Sequence, residues 1–271
     1  MSKLEELKKL RKQLDIEIIG KDNFPKDAPS IIVSNHNRLM DIFYLPLAFD
    51  QDIISLVSAR LVYKQDKERL SYINKYLNAF PIEAHGGKVY SEMCLRNSSE
   101  FIKNNLSLSI WPEGAYIDDT EHVYKGRTGG ARILFNALDN LCYAYFLPVS
   151  IDIKTDNDLD SYVPDIHDKV KITINEPILP DEYFYRYKSS ETDKDKNIVL
   201  HDITDTGMKI IADSLNREYV DDYIELYPKG NVIFSDGTTI NTELAQTRDF
   251  LDKYDKELKS VSRKLIYSIQ K

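Results

Sequence analysis

The residues whose types and spacing could do chemistry are His36 and Asp41, in the stretch Ser-Ile-Ile-Val-Ser-Asn-His-Asn-Arg-Leu-Met-Asp at residues 30–41. An imidazole held through one nitrogen by a carboxylate can take a proton on the other, so the pair reads as a general-base dyad without a protein nucleophile. On a straight helix a spacing of five places two side chains about 140° apart, out of reach of one another. They meet only if His36 lies in a turn and Asp41 in the first helical turn, aiming back, where the helix dipole favours a carboxylate charge. A lone His-x4-Asp is a weak signature in a chain with 5 His and 44 Asp and Glu, and His167 and His201 have Asp neighbours too. The plain alternative for His36 is a partly buried imidazole at a helix start, so the rest of the chain must decide.

The elements around the pair favour chemistry. The β-branched run 31–33 stops at Ser34-Asn35 and a helical pattern covers residues 39–49, so His36 sits where a strand gives way to a helix, the place where open α/β folds put their sites. A strand over 53–57, a charged helix over 64–77 and a short strand over 80–83 continue a βαβα alternation. A loop with Gly86, Gly87 and Lys88 follows, where glycines allow close backbone approach to a ligand. After a helix over 90–104, a buried strand over 106–111 runs into Pro112-Glu113-Gly114, with a carboxylate at the strand end. Residues 124–130, containing Lys125, Gly126, Arg127, Gly129 and Gly130, feed a helix over 131–141. That turn could serve as an anion site, although it lacks the Gly-Lys-Ser/Thr ending of a phosphate-binding Walker loop.

Strands over 143–151 and 169–174 close this region, with 152–168 read as an acid-rich loop and 191–205 as a polar, mobile stretch. A helix over 203–226 follows, then a hairpin over 231–240 marked by Asp236-Gly237. The last helix, over 242–269, carries Leu244, Leu251, Leu258 and Leu265 at heptad spacing, which suits either a second copy of the chain or its own domain. The expected architecture is a single α/β domain, residues 1–228, with a mixed central sheet flanked by helices, and a C-terminal hairpin and helix extension at 229–271.

The N-terminal helix over 3–14 sets Leu4, Leu7, Leu10 and Leu14 on one face among Lys3, Lys8, Lys9, Arg11 and Lys12. It fits either an anionic lipid surface or a core helix with a solvated basic face. With 271 residues and 42% hydrophobic content the chain can fill a sizeable core. A net charge of −8 without a long basic run excludes nucleic acid as a partner. Cys94 and Cys142 lie in apolar, helical contexts and read as small core residues. There is no signal peptide and no run near the ~20 apolar residues of a membrane span, so a cytoplasmic protein is expected, soluble or peripheral to the inner face of a membrane. No His-Glu-x-x-His or Gly-x-Ser-x-Gly pattern occurs, and neither a metal nor another cofactor is expected.

Four stretches in order resemble the glycerolipid acyltransferases of the lysophosphatidic acid acyltransferase type. Their first motif, Asn-His-x4-Asp, stands here as Asn35, His36 and Asp41. The second corresponds to Ala79-Phe80-Pro81-Ile82-Glu83, the third to Trp111-Pro112-Glu113-Gly114 and the fourth to Leu147-Pro148-Val149. The resemblance, over roughly residues 15–180, implies an α/β fold around a mixed sheet. It also implies an O-acyltransferase of phospholipid biosynthesis that moves an acyl group from acyl-CoA or acyl carrier protein to the hydroxyl of a lipid or other metabolite. His36 would be the base and Asp41 its orienter, with Asn35, Glu113 and Gly114 shaping the substrate site. The second motif usually ends in an arginine where this chain has Ala84, and the third continues Thr-Arg where it has Ala115-Tyr116. Two phosphate-gripping arginines are thus absent, which points to an acceptor other than lysophosphatidic acid unless Arg38, Lys88, Lys125 or Arg127 supplies the cationic site. A thioester hydrolase and a non-catalytic acyl-chain-binding protein are the alternatives; retention of both dyad residues counts against a mere binder.

Overall fold

The structure, a computed structural model, describes residues 2–64, 67–83, 87–156, 161, 163–224, 231–241 and 248–270. In chain order its elements are α1 (Lys3–Arg11), β1 (Asp15–Ile19), β2 (Ser30–Ser34), α2 (Asp41–Leu47), β3 (Ile54–Ser58), α3 (Ala59–Tyr63), α4 (Lys67–Tyr76), β4 (Asn78–Ile82), α5 (Gly87–Lys103) and β5 (Leu108–Ile110). There follow β6 (His122–Tyr124), α6 (Gly129–Asp139), β7 (Tyr145–Lys154), β8 (Lys169–Ile174), α7 (Asp181–Ser189), α8 (Asp193–Leu215), β9 (Glu218–Val220), β10 (Asn231–Ile233), β11 (Thr239–Asn241) and α9 (Arg248–Ile269).

Seven strands form one sheet in the order β1-β8-β7-β2-β5-β3-β4. All neighbours pair parallel except β7 and β8, so the sheet is mixed. The chain leaves β2 toward β3 on one side and returns from β5 past β2 to β7 on the other. The carboxyl ends of β2 and β5 therefore lie at a topological switch point, where an open α/β sheet leaves a crevice.

β2 is buried along its whole length because both faces are covered. Ile31 and Val33 enter one core with α5, α6 and α8, and Ile32 enters the other with α2. Such a strand carries a continuous apolar run rather than an alternating one. Helices rest close on the sheet where glycines allow it: a Cβ on Gly130 would press on Ile110, Phe146 and Val33, and one on Gly207 of α8 on Phe146. Gly129 and Gly130, which open α6, thus serve helix-sheet packing, and Gly126 lies close against Pro112 and against Thr204 and Met208 of α8, which accounts for all three without an anion.

Several expected boundaries move. The stretch 191–205, read as polar and mobile, is helical from Asp193 on and forms the front of α8, capped where the Thr192 side chain accepts the Asp195 N–H, and α8 ends at Leu215 with Asn216 in the left-handed region. The helix expected over 64–77 is α4, with a further short helix, α3, ahead of it, and α7 is a helix the sequence did not announce. β7 runs on to Lys154, and Asp168 at the end of the presumed loop is buried and accepts the Tyr44 hydroxyl hydrogen bond. In α1, Leu7 is buried and Arg11 donates to the Leu47 carbonyl, so the leucine face docks on its own chain while Lys8, Lys9 and Lys12 stay exposed.

The C-terminal elements close over α5. Tyr254 and Leu258 of α9 are buried, with the Tyr254 ring 4.9 Å from that of Tyr90 and Leu251 and Leu265 packed on the same core. The leucine face is therefore used within the chain; Leu244 lies outside the described residues. The hairpin β10–β11 is tied to β4 by the buried Glu83, whose carboxylate accepts the Ile233 N–H at 3.3 Å. Among the described residues no helix is long and apolar enough to cross a membrane.

Candidate active site

At the end of β2 the Asn35 side chain imitates a strand residue. Its Oδ1 accepts the Ile151 N–H and its Nδ2 donates to the Ile151 carbonyl, each at 2.9 Å, extending the β2–β7 pairing past Ser34 and Val149. The backbone can then turn sharply while remaining fixed to β7, and His36 is the first residue beyond. Its N–H donates to Glu113 Oε2 at 2.6 Å and its carbonyl accepts the Ile117 N–H at 3.2 Å.

Asp41 opens α2 and points back. Its Oδ2 lies 3.1 Å from His36 Nδ1 and also accepts the N–H groups of Asn37 at 2.7 Å and Arg38 at 2.9 Å. A carboxylate facing Nδ1 makes that nitrogen the N–H donor and leaves Nε2 as the basic one. Both side chains are buried, and the His36 ring packs against those of Trp111 and Tyr116, with centroids at 5.4 and 5.3 Å. The imidazole therefore has little rotational freedom.

Glu113, 3% exposed, faces backbone with both oxygens: Oε2 accepts from His36, and Oε1 accepts the Tyr124 N–H at 3.0 Å. It joins the turn after β2 to β6. Burial, helped by the Asp41 charge, pushes its carboxyl up to about 8 against the two backbone hydrogen bonds and Arg217. The Arg127 N–H adds a bond to the Pro112 carbonyl at 2.7 Å. Gly114 takes φ of 81° in the turn, a conformation that favours glycine.

The structure brings Asn35, His36, Asp41, Glu113 and Gly114 together with the Arg38 backbone. Arg38 Nη2 pairs with Asp118 at 3.0 Å. Lys125 and Arg127 sit in a separate group: Lys125 pairs with Asp221 and Asp205, while Arg127 donates to the Ile224 carbonyl and lies over the Tyr223 ring. Lys88 is exposed on α5 beside Glu92, and Ala84, His85 and Gly86 lie outside the described residues.

Three polar residues at the site have no motif to announce them. Asn37 accepts from Asn35 and donates to the carbonyls of Ile117 and Asp119. Burial would raise the Asp119 carboxyl, but hydrogen bonds from the Tyr124 hydroxyl, the Glu121 N–H and His122 outweigh it and hold it at about 2. Arg217, from the turn after α8, reaches Asn37 and Asp152 with its side chain 6% exposed.

A carboxyl keeps a lone pair on each oxygen in either protonation state, whereas a glutamine turns one oxygen into a donor. Glu113→Gln should leave the His36 or Tyr124 N–H unsatisfied at a cost of about 1–3 kcal/mol, read by urea denaturation, and lower turnover by loosening the turn. Because the folded-state value is raised, the contribution of Glu113 to wild-type stability should be full below the ordinary glutamate range and be lost as pH rises through about 8. That slope should flatten in Glu113→Gln; an unchanged slope would remove Glu113 as its source.

A family model described as Acyltransferase matches residues 15–152, just over half of the chain. A comparison with curated proteins finds no match. Among solved structures the chain is similar to the 1-acyl-sn-glycerophosphate (LPA) acyltransferase PlsC from Thermotoga maritima, at 23% identity over 77% of this chain and 79% of that one, with a TM-score of 0.49. The matched segment runs from β1 through the His36–Asp41 turn and Glu113 into β7, and on that extent the chain belongs to the Acyltransferase family.

Proposed function

We propose that this acyltransferase moves an acyl group from a thioester, of coenzyme A or of acyl carrier protein, to an acceptor hydroxyl by direct transfer. The observation that carries this reading is the buried His36–Asp41 pair, with Asp41 Oδ2 fixed by two backbone N–H groups and His36 Nε2 left basic. A thioester is already activated, so the protein need only make the acceptor oxygen nucleophilic and hold the reactants in place. His36 Nε2 takes the hydroxyl proton as the oxygen attacks the carbonyl carbon. The tetrahedral intermediate then collapses, the carbon–sulfur bond breaks, and the thiolate recovers the proton from the imidazolium. Asp41 orients the ring and offsets the positive charge formed on it. Glu113 holds the His36 turn, because both its oxygens are taken by backbone.

The acceptor we infer is a neutral or differently charged alcohol rather than lysophosphatidic acid, such as a lipid or a hydroxylated metabolite. Tyr116, where related enzymes usually carry an arginine, sets its ring against His36. Lys125 and Arg38, candidates for a relocated phosphate grip, are ion-paired within the chain.

His36→Ala should cost about 10²- to 10⁴-fold in transfer rate while the far-ultraviolet dichroism stays that of the wild type. Retention of more than about a tenth of wild-type turnover would rule out the assigned base. Asp41→Asn should impair transfer strongly as well, since the amide leaves the imidazolium charge unbalanced.

A lysophosphatidic acid acceptor should be used poorly. A charged hydrogen bond contributes about 1.5–3 kcal/mol, so loss of two should cost roughly 10²-fold or more in kcat/KM. Steady-state kinetics on lysophosphatidic acid beside the corresponding monoacylglycerol decides it. A hundredfold preference for the phosphorylated acceptor that disappears on neutralising Arg38 or Arg127 would show that the cationic site has moved and that the inferred acceptor is wrong.

A further inference from the structure

Arg217 lies outside the matched segment, beyond α8, yet its guanidinium is buried beside the His36 turn. Its arrival there is built into the end of α8. Asn216 adopts φ of 53°, and the Arg217 N–H closes onto the Ala212 carbonyl at 2.9 Å, a left-handed helix cap that reverses the chain toward the sheet. The side chain then bridges two elements. Nη2 donates to Asp152 Oδ1 of β7 at 2.8 Å, and Nη1 donates to Asn37 Oδ1 at 2.9 Å and toward the Asp119 carbonyl at 3.5 Å.

Asn37 is the link to the dyad. Its side chain is fixed by Arg217, by Asn35 Nδ2 at 2.7 Å and by the carbonyls of Ile117 and Asp119. Its backbone N–H makes the shortest of the three bonds to Asp41 Oδ2. A tilt of the Asn37 peptide would release that bond and let the carboxylate rotate away from His36 Nδ1.

We infer that Arg217 is a positioning residue for acyl transfer: through Asn37 it fixes the peptide that aims Asp41 at His36, and it does not touch the substrate. The inference rests on the general-base reading of His36 and Asp41. A planar fork suits the task, because it satisfies acceptors on β7 and on the turn at once, which a single ammonium point charge does less well. The requirement is geometric, since misplacing a catalytic group by about an ångström costs on the order of 10²-fold in rate.

The test is steady-state kinetics on the full chain with a fixed acyl thioester and acceptor, comparing Arg217→Ala, Arg217→Lys, Asn37→Ala, the Arg217→Ala/Asn37→Ala double variant and His36→Ala. Arg217→Ala should lower kcat by about 10- to 100-fold with KM for both substrates little changed, and Arg217→Lys should recover part of it. Guanidinium ion, below denaturing concentration, should partly restore Arg217→Ala. The double variant should be little worse than the more damaged single one, because both act on one peptide. An unchanged kcat in Arg217→Ala, or a loss confined to KM for the acceptor, overturns the positioning role, as does strict additivity with Asn37→Ala. His36→Ala separates the two readings: turnover surviving there overturns the general base itself, whereas an inactive His36→Ala beside a fully active Arg217→Ala overturns the positioning role alone.

Discussion

Asp41 Oδ2 gathers three N–H groups on one buried oxygen, those of His36 Nδ1, Asn37 and Arg38, and the geometry of the site depends on that convergence. Hydrogen bonds to a charged group are short and strong, and a buried carboxylate without them would be costly. The turn at residues 36–40 is thus held by its own catalytic candidate. The same oxygen that orients the imidazole keeps the backbone in the conformation that presents it.

Around that turn, buried polar side chains do what a strand ladder would do elsewhere. Asn35 pairs with both backbone groups of Ile151, Glu113 takes the N–H groups of His36 and Tyr124, and Arg217 spans Asn37 and Asp152. Each binds a segment that leaves the sheet at the switch point, where the ladder has ended and backbone groups need partners. The rings of Trp111 and Tyr116 pack against the imidazole without offering it a competing carboxylate. The His36 imidazole is consequently preorganised in the folded chain.

How much of this was legible in the sequence follows from the range of each interaction. The strand over Lys169–Ile174 alternates in burial as its residues do, and Asp236-Gly237 marks the tip of a hairpin with Gly237 at φ of 81°. The first half of α8 was hidden because Asp193, Lys194, Asp195 and Lys196 form a solvated first turn. The signal was the Thr192 cap and the stripe of Val199, Leu200, Ile203 and Met208 behind it. Glu113 was visible as a carboxylate at a strand end, but its backbone partners lie 77 and 11 residues away in the chain. Arg217 had no local mark at all, since its role comes from one left-handed residue, Asn216, that redirects the chain.

The central claim is direct transfer by a preorganised base, with no acyl group carried on the protein. Intact-protein mass spectrometry during rapid mixing with an acyl thioester, first without and then with acceptor, tests it most directly. The account predicts an unmodified protein mass throughout and product only when both substrates are present. A protein mass increased by one acyl group, formed without acceptor and discharged when acceptor is added, would contradict it.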